Sequence, residues 1–98
     1  MPRFDVLRGR AKGQLLLDCQ SDLLDQLDTR VVVPLLPAAA MVAATRLNPV
    51  FEIEGDQYMM QTALILAMPV DRLEPTATNL ANRHFEILSA LDMLFTGI

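Results

Sequence analysis

Leu80, His84, Ile87, Leu88, Leu91, Leu94 and Phe95 fall at i, i+4, i+7, i+8, i+11, i+14 and i+15, one stripe of an α-helix and a spacing the earlier part of the chain does not keep. A helix with such a stripe must lay it on an apolar surface built by the rest of the molecule. Thr78 or Asn79 can supply the capping oxygen, Pro75 stands just outside, and Gly97 stands where a helix stops.

Upstream, short apolar runs bounded by turn residues predict strands over 4–8, 15–20, 30–36, 50–54, 58–66 and 68–73. Gly9 and Gly13 mark a hairpin between the first two, and Glu54, Gly55 and Asp56 a tight turn after the fourth. Pro34 and Pro37 disfavour a central strand, so 34–49 reads as a loop with one helical turn over 38–44. The run 21–28 sets Asp22, Asp25 and Asp28 around Leu23, Leu24 and Leu27; it is too short for a helix by itself and reads as an exposed connection presenting leucines. With no repeats or linkers, residues 1–98 read as a single domain, a β body with a C-terminal helix.

At 98 residues, folding buries about two thirds of the unfolded chain's surface. A hydrophobic fraction of 52% and a mean hydropathy of +0.31 leave apolar surface beyond what one small core needs, which predicts a second copy or a partner. The net charge of −4 supplies no field for a phosphate backbone, so direct nucleic-acid binding is not expected. Arg8, Arg10 and Lys12 read as a solvated hairpin tip and only secondarily as a docking patch. The longest apolar run, 63–68, stops at Pro69, far short of the roughly 20 residues that span a bilayer. One cysteine and no signal-peptide pattern predict a cytoplasmic protein.

Catalytic chemistry finds little to work with. Metal sites need clustered ligands, and Cys19 and His84 stand apart without neighbours of their kind. No metal or other cofactor is expected. Cys19 reads as a small core residue, His84 as a structural histidine, and Met41, Met59, Met60, Met68 and Met93 as core filling. The four glycines match no phosphate-binding loop, and Asp18, Asp22, Asp25 and Asp28 read as solvated acids. The protein is expected not to be an enzyme.

The segments LDCQSDLL at 17–24, RVVVPL at 30–35, Met59-Met60, Met68-Pro69-Val70 and the closing LFTGI at 94–98 stand in the order found in the CcdB family, which this chain resembles nearly end to end. The resemblance implies an SH3-like antiparallel barrel of the CcdB/Kid/MazF kind, with a small additional sheet and a C-terminal helix, forming a homodimer. It implies a toxin that binds the DNA gyrase A subunit, traps the cleaved DNA complex, and is neutralised by a disordered CcdA-like antitoxin tail. Carried onto this sequence, the gyrase-binding residues are Leu23, Leu24, Asp92, Thr96, Gly97 and Ile98, and the dimer contact is Phe95 with Ile98. The family's tryptophan is replaced by Thr96 and its helix asparagine by Asp92. Two alternatives stand beside this reading: a MazF- or Kid-type endoribonuclease using Arg30, Arg72 and His84, and a non-toxic antitoxin-binding co-repressor.

Overall fold

The computed structural model describes residues 1–39 and 42–98; Met41 and part of the helical turn expected over 38–44 lie outside them. Among the described residues seven strands, β1 (Asp5–Arg8), β2 (Leu15–Asp18), β3 (Thr29–Pro37), β4 (Val50–Ile53), β5 (Asp56–Met60), β6 (Leu66–Pro69) and β7 (Glu74–Asn79), precede helix α1 (His84–Thr96). They form one curled antiparallel sheet in the order β4-β5-β3-β2-β1-β7, with β6 also paired to β3. The mainly-β class with a C-terminal helix is the one expected.

Strand β3 is central, against expectation, and its two prolines show why it can be. A proline has no N–H to give, and in an antiparallel strand a residue's N–H and C=O face the same neighbour. β3 pairs with β6 through Thr29 to Val32 and with β5 from Leu35 to Pro37, so Pro34 falls between the two partners. Only its carbonyl is used there, accepting from the Gln61 N–H at 2.9 Å. Pro37 lies past Leu15, the β2 residue paired with Leu35, so no ladder on that side requires its N–H.

The expected strand over 58–66 breaks into β5 and β6, separated by the 3-10 turn Thr62–Leu64, and 68–73 holds only the end of β6 and the turn Val70–Arg72. Strand β7 replaces what reads as the approach to the helix. Glu74 and Pro75 are both exposed and Thr76 to Asn79 alternate between half-buried and exposed, so the strand carries no apolar signal. Pairing with β1 and the Thr76 hydroxyl, which donates to the Val6 carbonyl at 2.7 Å, hold it in place.

Alternation sends Val6, Leu17 and Val33 to one face of β1–β3 and Leu7, Leu16 and Val32 to the other, and both sets are buried. The first face receives Leu80, Ile87, Ala90 and Leu91 together with Phe51 and Met60. Asn79 Oδ1 accepts from the Ala81 N–H at 2.8 Å at the entry to the 3-10 turn Ala81–Arg83, but α1 starts only at His84, behind Arg83 and without a side-chain cap, so neither Thr78 nor Asn79 caps the helix as expected. Phe95, at the far end of the expected stripe, is 69% exposed, and His84 is half-buried at the helix start. The stripe therefore stops packing before the helix stops: Leu91 is buried, Leu94 half-buried and Phe95 exposed.

The β1–β2 hairpin gives a local test. Gly13 has φ +75°, a left-handed conformation that costs a side-chain-bearing residue about 1–2 kcal/mol, while a Cβ there meets nothing within 4 Å. Gly13→Ala should therefore lower stability by about that amount in urea unfolding. At Gly9 an added Cβ meets only the flexible Gln14 side chain, so Gly9→Ala should cost less.

Candidate functional site

Leu23 and Leu24 lie in the 3-10 turn Asp22–Leu24. The Ser21 hydroxyl accepts from the Leu23 N–H at 3.2 Å, and Asp22 Oδ1 accepts from the Arg3 N–H at 2.8 Å. Buried Gln20 braces the turn from below: Nε2 donates to the Leu24 carbonyl at 2.7 Å and Oε1 accepts from the Val31 N–H at 3.0 Å. With its backbone satisfied in this way, the turn can hold Leu23 92% exposed and Leu24 50% exposed.

The second exposed group is the tip of α1. Gly97 stops the helix at φ 72°, and its N–H donates to the Met93 carbonyl at 3.0 Å. The Thr96 hydroxyl donates to the Asp92 carbonyl at 2.6 Å and accepts from the Ile98 N–H at 3.3 Å. Arg46 closes the arrangement: Nε donates to Ser89 Oγ at 2.8 Å and Nη2 to the Ile98 carbonyl. The Ile98 side chain remains 83% exposed, beside exposed Phe95, Asp92 and Thr96. Among the described residues, no hydrogen bond joins this tip to the Leu23–Leu24 turn; each is anchored separately.

Arg46 carried no signal in the sequence, where it stands as a lone basic residue in a stretch read as loop. With Ala44, Thr45, Pro49, Phe85, Glu86 and Ser89 it lines a depression of about 320 Å³ beside the helix. Phe85 is 79% exposed at its wall.

The groups considered for phosphodiester cleavage have separate engagements. Arg30 is 1% exposed and gives Nε and Nη2 to Asp18 Oδ2, at 3.0 and 2.6 Å. His84 Nδ1 is 2.8 Å from the Ala81 carbonyl and its ring lies 4.2 Å from that of Phe85, while Arg72 is exposed in the turn after β6. Asp18 is buried, contrary to its reading as a solvated acid, whereas Asp22, Asp25 and Asp28 are exposed. Among the described residues no three His, Cys, Asp or Glu side chains cluster as metal ligands, and no helix is long and apolar enough to cross a membrane.

Met60 is fully buried, as core filling requires, but Met93 is 41% exposed on α1. Cys19 is a core residue, and burial pushes its thiol up to about 12. The thiolate is the reacting form, so Cys19 should resist an aromatic disulfide reagent in native protein and react promptly in denaturant. Fast stoichiometric labelling of the native state would contradict the packing described.

A family model described as CcdB protein matches residues 3–97.

Proposed function

The chain belongs to the CcdB family, and from that premise we propose that it is the toxin of a toxin–antitoxin pair, binding the DNA gyrase A subunit and holding gyrase on cleaved DNA. The observation that carries this reading is the tip of α1. Ile98 is held out to solvent at 83% exposure on a backbone tied by Thr96 and Arg46. An apolar residue displayed on an ordered backbone suits insertion into a partner, because little of its freedom is left to lose on binding. The Leu23–Leu24 turn offers a second apolar contact of the same kind. No chemistry of its own is required of the protein, and the DNA cleavage is gyrase's. The site of action on this reading is the cytoplasm.

A disordered antitoxin tail would cover these exposed groups, folding as it binds. A second copy of the chain would cover Phe95 along a two-fold axis, giving a self-complementary interface. Phe95→Asp should then shift sedimentation from dimer toward monomer. Since Phe95 is largely exposed in the protomer, the monomer's core should survive the change. A wild-type monomer at high micromolar concentration would remove the dimer from the proposal.

The whole reading is tested by incubating purified protein with gyrase, ATP and plasmid. Linear DNA released by detergent and protease is the expected product. Undiminished supercoiling, or metal-independent cleavage of RNA by the protein alone, would overturn it.

A further inference from the structure

We propose that Arg46 is the positioning residue of the tip, setting the order of Thr96 to Ile98 in the free protein and thereby the affinity of that surface for its partner. The partner half of this inference rests on the reading above; the ordering half does not.

Arg46 projects from a platform that is itself tied down. Thr45 and Asn48 close a turn on each other, the Thr45 N–H donating to the Asn48 carbonyl at 3.2 Å and the Asn48 N–H to Thr45 Oγ1 at 3.0 Å. Asn48 Nδ2 then donates to the Met60 carbonyl at 2.9 Å, the Pro49 carbonyl accepts from the Met60 N–H at 2.9 Å, and the Leu47 carbonyl accepts from the buried Thr62 hydroxyl. Three residues beside Arg46, Leu47, Asn48 and Pro49, are thus fixed to the end of β5 and the turn that follows it, with Thr45 tied to them through Asn48.

From this base the guanidinium bridges two points of α1. Nε takes Ser89, on the middle turn, and Nη2 takes the Ile98 carbonyl beyond the helix stop. A planar fork presents its donors in fixed relative directions, so engaging Ser89 aims the remaining N–H at the tip. Among the described residues the tip's remaining hydrogen bonds are local, Gly97 to Met93, Thr96 to Asp92 and Ile98 to Thr96, and these tie the tip to the helix. Among the described residues Arg46, 52 residues away in sequence, supplies the hydrogen bond that refers the tip to the β body. A helix end held only by its own last turn frays.

Arg46→Ala leaves the core untouched, since the side chain is exposed, and its melting temperature should match wild type. The Ile98 amide order parameter should stay above about 0.6 in wild type and fall below it in Arg46→Ala. Affinity for the gyrase A subunit should drop about tenfold, with the enthalpy of binding little changed, because the lost quantity is order rather than contact. Arg46→Lys, a point donor without the fork, should recover part of both, and Ser89→Ala should lower both by less. If Arg46→Ala weakened binding while Ile98 kept its order, Arg46 would be a direct contact and the positioning role would be wrong. If Ile98 lost order and affinity stayed the same, the ordering would stand but its role in binding would be refuted. Absence of gyrase binding by wild type, with Ile98 still ordered through Arg46, would refute the gyrase reading and the affinity half of this one.

Discussion

Asp18→Ala is expected to lower stability by about 3–5 kcal/mol, the range for stripping the partner from a buried ion pair. Asp18 is fully buried, Arg30 nearly so, and among the described residues no other carboxylate bonds to that guanidinium. The change also removes the Oδ1 that accepts from the Gln20 N–H at 3.0 Å, and Gln20 braces the Leu23–Leu24 turn. Urea unfolding followed by circular dichroism reads the loss. The double variant Asp18→Leu, Arg30→Met, which removes both charges, should recover much of it; failure to recover would mean that packing or the Gln20 bond is what matters.

The same pair predicts a pH dependence. Burial raises the Asp18 carboxyl above its ordinary value in spite of the hydrogen bond and charge of Arg30. A carboxyl raised in the folded state holds its proton more tightly there than in the unfolded chain. Its contribution is therefore complete below the unfolded value of 3.8 and falls as pH climbs through the folded one. The stability gap between wild type and Asp18→Asn should widen as pH is lowered through that window. A gap that narrows would show that Arg30 outweighs burial.

Gly97→Arg and deletion of Ile98 should each abolish or strongly reduce growth inhibition in protein that stays folded, Gly97→Arg at a stability cost of about 1–2 kcal/mol for its left-handed backbone. Around Gly97 an added Cβ meets nothing within 4 Å, so folding tolerates bulk there, although φ +72° strains it locally. A partner approaching that backbone meets the arginine instead. Ile98 has an apolar side chain worth about 1.5–3 kcal/mol when fully buried, which corresponds to roughly tenfold to a hundredfold and more in affinity. Variants that stay folded and fully toxic would exclude the tip as the acting surface. Thr96→Trp runs the other way. A gain in gyrase affinity is expected, because large aromatic anchors carry a disproportionate share of interface energy. No gain would assign the contact to Leu23, Leu24 and Ile98.

The helix, its stop at Gly97, the hairpin at Gly9 to Gly13 and the exposed leucines after Ser21 were all legible in the sequence. Each depends on residues within a turn or two of one another, an apolar period or a left-handed glycine; the helix start was not legible, since α1 begins at His84 without the side-chain cap expected from Thr78 or Asn79. Family membership was legible too, because short segments in a set order survive without any knowledge of where they pack. Tertiary structure alone decided the rest. Pro34 is admitted to a central strand because β5 and β6 leave a gap opposite it, and β7 exists because β1 offers it an edge. Phe95 belongs to the helical stripe by spacing and to the surface by position, because the buried cluster takes Ile87 and Leu91 from the stripe and not Phe95. Asp18 is buried because Arg30 is pinned across from it, and Arg46 reaches the tip across 52 residues. Local propensity and periodicity report which face of an element is apolar; which donor goes unused, which edge stays open and which charge finds a partner are properties of pairings between distant segments, and they come into being only when the sheet closes.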